Sequence, residues 1–468
     1  MNISAFTRCL DIVTSLLLLA LAPLLRLLPQ RRIDYSGRAA QRLPRVGPFA
    51  RELHVSRSCI SKLPRSLTPW RQLRVLDLSG NNLKALPTCI ADLHLLESLN
   101  LAHNSLNYLP AELGQLARLK VLGLRSNALQ ELPETFGNLQ SLHSLFLTDN
   151  RLRALPRTLG KLTRLRKLQA ASNRLETIPA ELLEGALELE MLRVPCNNIE
   201  TLPAAALSRH PKLCWLSLSG NPRWCDGPQE CPHRDVPRLD PGDDLPVYDD
   251  TDAALGPSGA SGGVYAATWR GDRVAVKRFV DGISPDGHPE DEIACARAVS
   301  NPCCVNILAT AEQPTRVMVM SYIHGRPLGG RPNAASLLRC TYPSGTVWPA
   351  AVAITCAHDV ARACAACAAC RVSHGDVYAH NVVIDTSDGG HATLVDFGAA
   401  FAYNKACGVD FERLEVRAYG LLLQELAERC VGGCHKGMQD LATRCCDSDV
   451  ASRPRFTDLE QALKRMRT

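Results

Sequence analysis

The chain has 468 residues, more than one ordinary domain holds. Its 46% hydrophobic and 21% charged residues are an ordinary globular composition, and a net charge of +6 with no basic tract interleaved with aromatics argues against nucleic acid as a partner. The 20 cysteines, 13 of them from Cys295 onward, lie scattered through apolar stretches, which excludes a short secreted disulfide scaffold and reads as buried free thiols in a reducing, cytoplasmic setting.

Residues 1–50 form an apolar and basic N-terminal segment. Residues 12–25 are an apolar run broken by Pro23 and followed by Arg26, short for a full membrane span and of signal-peptide length. Eight arginines then lie between Arg26 and Arg57 against one aspartate and one glutamate, which would hold the following chain on the cytosolic side of a membrane. A membrane anchor and an apolar cap on the open end of the next domain are equal readings.

Residues 51–226 carry an internal repeat. Leu73, Leu76, Leu78, Asn81, Leu83, Leu86 and Pro87 recur as Leu96, Leu99, Leu101, Asn104, Leu106, Leu109 and Pro110. The asparagines continue at Asn127, Asn150, Asn173, Asn197 and Asn221, in steps of 23 residues with the last two at 24. This pattern resembles the leucine-rich-repeat family, which implies an α/β solenoid: a short strand, a turn and a return segment per copy, with inward leucines stacked into one core. The asparagine can bond turn backbone that would otherwise be buried unpaired. Residues alternating with the leucines, among them Val121, Arg125, Phe146, Lys167, Met191, Arg193 and Trp215, are expected on the exposed concave face. Phe146, Met191, Arg193 and Trp215 there suit a protein partner. The string Asn221-Pro-Arg-Trp-Cys225, with Cys231 after it, faintly resembles the cap that closes extracellular repeat domains.

Residues 227–252 read as an acidic, proline-rich linker. Between 222 and 252 stand six prolines, eight aspartates and one glutamate, too little apolar material for a core. It contains no apolar span, so repeats and C-terminal part share one side of any membrane.

Residues 253–468 begin with strand-like runs and continue with helical ones, an α+β order in two lobes. Gly256, Gly259 and Gly262 precede Val264 in a glycine-rich turn, whose backbone N–H groups can approach a phosphate. Val274-Ala275-Val-Lys277 follows, with Lys277 thirteen residues after Val264 and Glu292, or alternatively Glu290, placed to pair with it. Val317-Met-Val-Met320-Ser321-Tyr-Ile323 is a third apolar run. His374-Gly-Asp376 precedes Asn381 by a short loop, and Leu394-Val-Asp396-Phe-Gly398 stands twenty residues after Asp376. Cys364, Cys367 and Cys370 recur among alanines and read as small-residue helix packing.

Taken in order, these motifs resemble the protein-kinase domain, fused here to leucine-rich repeats in the compact His-Gly-Asp form. The resemblance implies ATP and magnesium as cofactors. Gly256, Gly259, Gly262, Val264, Ala275 and Lys277 would contact nucleotide. Ser321 and Ile323 would bond the base behind Met320, and Asn381 and Asp396 would hold magnesium. Lys277 and Glu292 would pair, and Asp376 would orient the substrate hydroxyl. The implied activity is phosphorylation of protein hydroxyls, of serine/threonine type, with the repeats recruiting a protein substrate or regulator. The alternative is a pseudokinase scaffold that binds nucleotide and partner without transfer.

Several positions depart from the pattern. Gly375 stands where an arginine is usual and Tyr378 where a lysine is usual, leaving His380 as the nearest cation for the terminal phosphate. Residues 398–413 contain no serine or threonine and only Tyr403, so activity should not wait on Ser/Thr phosphorylation there. With no Ala-Pro-Glu present, Arg453 would need Glu412 or Glu415 as its partner.

Overall fold

The computed structural model describes residues 32–38, 43, 47, 49–222, 236–240, 246–248, 255, 262–280, 286–312, 316–333, 336, 338–432 and 435–467. The apolar run at 12–25, Cys225, Cys231, Gly256 and Gly259 lie outside them. The chain divides into two compact units. One comprises residues up to 129 with 133–142, the other residues 130–132 with 143–468.

The first unit carries strands β1 (Arg32–Asp34), β2 (Glu52–His54), β3 (Val75–Asp77), β4 (Ser98–Asn100) and β5 (Val121–Gly123), paired parallel in chain order. Leu53, Leu76, Leu99 and Leu122 stand in register and are fully buried. Each strand is three residues long, so one inward leucine per strand is all the alternation it offers. Short 3₁₀ segments close the repeats: Thr88–Asp92 and Ala111–Gln115 each follow a proline, Pro87 and Pro110. The asparagines do what the spacing implies. Asn81 Nδ2 donates to the carbonyls of Val55 (2.6 Å) and Leu78 (2.9 Å), and its Oδ1 accepts from Ser58 and Ile60 N–H.

The second unit opens with four more such strands, β6 (Ser144–Phe146), β7 (Lys167–Gln169), β8 (Met191–Arg193) and β9 (Trp215–Ser217), with Leu145, Leu168, Leu192 and Leu216 in register. Asn173 and Asn197 repeat the ladder of backbone bonds. Two short helices, α1 (Ala180–Gly185) and α2 (Ala204–Leu207), replace the 3₁₀ return segments of the last copies.

A six-stranded sheet follows, in the order β10 (Arg238–Leu239), β14 (Ile307–Ala311), β15 (Val317–Ser321), β13 (Asp272–Phe279), β12 (Gly262–Trp269), β11 (Val247–Tyr248). β12 and β13 turn back through Arg270 and Gly271, both at positive φ, the two-residue turn that suits the twist of a hairpin. The described parts of the acidic stretch are thus not free linker: β10 pairs with β14, β11 pairs with β12, and Leu239 is buried. Two-residue edge pairing needs little apolar surface, which is why composition alone missed it.

Helix α3 (Pro289–Ala298) starts with proline at its first turn and Glu290, Asp291 and Glu292 beside the positive helix end. The remaining helices are α4 (Ala350–Ala369), α5 (Phe411–Glu428), α6 (His435–Cys445) and α7 (Phe456–Arg467). α4 is long and apolar enough to cross a membrane by length and composition. It is instead the central core helix, packed on α7 and on strand His391–Leu394, with Ala357, Val360, Ala361, Cys364 and Cys367 fully buried. Among the described cysteines, fifteen are free thiols, as expected, but Cys370 is disulfide-bonded.

The expected exposure of the concave face fails at its C-terminal end. Met191, Arg193 and Trp215 are buried at 3%, 7% and 1% exposure, and Met191 and Trp215 share one apolar cluster with Val377, Tyr378 and Cys340. Phe146 is partly exposed, with Lys167 Nζ 5.4 Å from its ring centre. The large side chains that looked free for a foreign partner are therefore covered by the chain's own C-terminal part.

Candidate active site

Lys277 lies on β13, a strand buried between β12 and β15, and its side chain is 5% exposed. Its Nζ stands 2.5 Å from Glu292 Oε1 on α3 and 3.0 Å from Asp396 Oδ1. Glu292, not Glu290, is the partner; Glu290 pairs instead with Arg316. Burial disfavours the Lys277 charge, but Asp396 and Glu292 outweigh it and hold the group protonated. Burial also opposes the Asp396 charge, and Lys277 prevails there, keeping the carboxyl well below the usual range. Glu292, the most enclosed of the three, is pushed by burial up to about 7.

Asp396 sits at φ 62, in the left-handed region, and caps the turn Phe397–Ala399 through a bond accepted from Gly398 N–H. Asp376 is fixed from the other side: Asn381 Nδ2 donates to its Oδ2 (2.9 Å) and to its carbonyl (3.0 Å). Val395 N–H donates to the Asn381 carbonyl at 2.9 Å, tying the two loops together. Because Asn381 spends its Nδ2 on Asp376, its Oδ1 remains for an oxygen-seeking cation. Asp396 and Asn381 Oδ1 are the hard oxygen donors that suit magnesium, so the donor set fits that ion.

Of the expected nucleotide contacts, Gly262 and Val264 lie on β12 opposite Phe279 and Lys277, and Ala275 lies between Ala266 and Met320. A Cβ on Gly262 would stand 2.0 Å from the Arg278 carbonyl, so only glycine fits there. Ser321 ends β15 and Ile323 follows it, partly buried. Gly256 and Gly259 lie outside the described residues.

Gly375 has its own reason. It stands at φ 71, where a Cβ would meet the Ala399 carbonyl at 2.6 Å and the Leu216 carbonyl of β9 at 3.0 Å. An arginine there would push the repeat strand away. The Gly375 N–H donates to Glu415 Oε1 at 2.6 Å, so Glu415 serves the loop and not Arg453. Arg453 instead donates to the backbone carbonyls of Asp447, Arg413 and Pro211, and Glu412 pairs with Arg455. His380, the expected cation, has Nδ1 3.4 Å from Cys340 Sγ, and burial lowers its pKa, which disfavours the charged ring.

Burial pushes Glu415 up to about 7 from 4.5, against the N–H groups that favour its charge. A raised carboxyl gives its full stability below the unfolded value and loses it as pH rises through the folded one. Relative to Glu415→Gln, the wild type should therefore lose up to about 3 kcal/mol between pH 4.5 and 8, from roughly 2.5 pH units at 1.36 kcal/mol each. Urea unfolding of both proteins across this window checks it, and a constant difference would refute the assignment.

The sequence did not point to Asp286. Arg193 Nη1 donates to the Asp286 carboxylate and Nη2 to Asp376 Oδ1 at 2.5 Å. The Ser217 and Ser219 hydroxyls each donate to the Asp286 carbonyl at 3.4 Å. The Trp215 and Tyr378 rings stack with centres 4.4 Å apart and planes 4° from parallel. Asp286 was invisible because nothing local marks it; only the meeting of β8 and β9 with the loop before α3 gives it a partner. A cavity lined by Tyr403, Lys405, Asp410, Glu412 and Arg455 includes none of these groups.

Residues 49–210 are a leucine-rich repeat region. The family model matching them bears that description and leaves residues 211–468 outside the match. A structure of a leucine-rich-repeat protein from Leptospira interrogans is similar at 31% identity, over 37% of this chain and 50% of that one, with a TM-score of 0.34. This chain thus spans half of that protein's length. No curated protein matches the chain. Leucine-rich repeat regions generally serve protein–protein interaction.

Proposed function

We propose that this chain is an ATP-dependent protein kinase, of serine/threonine type, that binds a protein substrate or regulator and acts in the cytoplasm. One observation carries the reading: a buried lysine held between Glu292 and Asp396, beside an aspartate held by Asn381. Phosphoryl transfer needs phosphates positioned, charge neutralised and a hydroxyl aligned, and these residues match those tasks. Lys277 would bind the inner phosphates, kept charged by its two carboxylates. Asp396 and Asn381 would hold magnesium, which when bound neutralises phosphate charge. Asp376 would align the acceptor hydroxyl and take its proton. Residues 398–413 carry no serine or threonine, so no phosphate on such a residue is required there.

A second reading, a nucleotide-binding scaffold without transfer, is favoured by Arg193, which bonds the Asp376 oxygen that a hydroxyl would approach. Radiolabelled ATP with magnesium separates the two. The wild type should incorporate label, and Asp376→Ala should lose it by at least about a thousandfold while still binding nucleotide. Equal background labelling in both, with nucleotide bound, would leave the scaffold.

A further inference from the structure

Resting on the kinase reading above, we propose that the cation of the transfer centre comes from the repeats: Arg193 on β8 is a catalytic residue that contacts the terminal phosphate of ATP. In that step the acceptor hydroxyl oxygen bonds to the terminal phosphorus, and the bond from phosphorus to the bridging oxygen breaks. The bridging oxygen keeps the electron pair and leaves as part of ADP, and the hydroxyl proton goes to Asp376. The transferring group carries negative charge throughout, so a fixed positive group beside it lowers the barrier.

The loop that bears Asp376 offers no such group. Gly375 and Tyr378 are uncharged, and the partly buried His380 turns its Nδ1 to Cys340 Sγ at 3.4 Å. Arg193 meets the Asp376 carboxylate directly, and its side chain is only 9% exposed. Burial works against its charge, but Asp286 and Asp376 outweigh it, so the guanidinium stays charged. Lys167, on the neighbouring strand, adds a second positive group; burial, and then the charge of Arg193, bring it down to about 8.

A guanidinium has five N–H donors, and the two carboxylates do not use them all. Arg193 Nε is buried and has no hydrogen-bond partner among the described residues, and neither do the buried Trp215 Nε1 and Tyr378 Oη. Buried donors without acceptors are costly, and an anion with several oxygens is the kind of ligand that relieves such a deficit.

The packing decides between a built-in group and a removable cover. Trp215 is 1% exposed and stacked on Tyr378, and Gly375 lacks the Cβ that would keep Leu216 at a distance. An apolar, interlocked contact of this kind behaves as core rather than as a hinged lid. The repeats then form one wall of the active site.

The test uses the full chain, with ATP and ADP as separate probes in the presence of magnesium. Arg193→Gln should weaken ATP binding about tenfold while leaving ADP binding within about twofold, and should cut label transfer about a hundredfold. Arg193→Lys should keep the preference for ATP over ADP. Equal losses for ATP and ADP would reduce Arg193 to a structural role, and faster transfer by Arg193→Gln would make it an inhibitory cover; either overturns the proposal. Should Arg193→Gln not fold, the lysine variant decides, and loss of its ATP preference overturns the proposal. Wild-type protein that binds neither nucleotide would sink the kinase reading and this inference together. Wild-type transfer that Arg193→Gln retains would sink the inference alone.

Discussion

Lys277→Met is expected to abolish label transfer and to destabilise the second unit by about 3–5 kcal/mol near neutral pH. The ammonium stands between Glu292 Oε1 at 2.5 Å and Asp396 Oδ1 at 3.0 Å, with the lysine and glutamate side chains 5% and 1% exposed. Methionine keeps the length and apolar stem but leaves both carboxylates without their cation. Uncompensated charge in a buried site costs more than the pair contributes, because desolvation is no longer offset. Glu292 can escape by taking a proton, which its raised value already favours, so the loss should shrink at lower pH. The double variant Lys277→Met, Glu292→Gln should recover most of the stability and none of the transfer. Denaturant unfolding and label incorporation on the three proteins check this. A Lys277→Met protein as stable as wild type would mean that the ion triad does not hold α3 against the sheet.

Trp215→Ala should cost about 3–5 kcal/mol and lower the unfolding midpoint of the second unit. On the sequence alone Trp215 belongs to an exposed binding face, where removing it would cost a partner and spare the fold. The structure reverses that expectation. The indole is buried, lies flat on Tyr378 and sits among Met191, Cys340 and Val377 in one apolar cluster. Alanine would remove the stack and leave a cavity that its neighbours fill only in part. Phe146→Ala, at a partly exposed position, should cost far less. Thermal and urea melts of the two variants decide the matter, and similar small effects from both would restore the exposed-face reading.

The repeats were legible because their signal is periodic and local. A leucine that must point inward every repeat and an asparagine that must bond turn backbone leave marks at a constant step. Asn81, Asn173 and Asn197 make those bonds where the spacing implied. The groups around Lys277 were partly legible. Lys277, Glu292 and Asp396 meet, as do Asp376 and Asn381. Where partners were assigned by elimination, legibility failed. Arg453 took backbone carbonyls rather than Glu412 or Glu415, and the His380 ring turned to Cys340 Sγ. Charge and hydrogen-bond choice depend on which acceptors burial brings near, and no run of residues encodes that.

By itself the sequence determined the leucine-rich repeats, the buried leucine stacks and the identity of the polar residues gathered near Lys277. Only the tertiary structure decided that the last repeats close over Asp376, that Gly375 must be glycine to admit Leu216, and that Asp286 shares Arg193. The reason is physical. Periodic patterns report what a segment buries, whereas the neighbour it buries against is set by packing between segments distant in the chain. Arg193 and Asp376 are 183 residues apart in sequence, and no local preference of either one foretells the other.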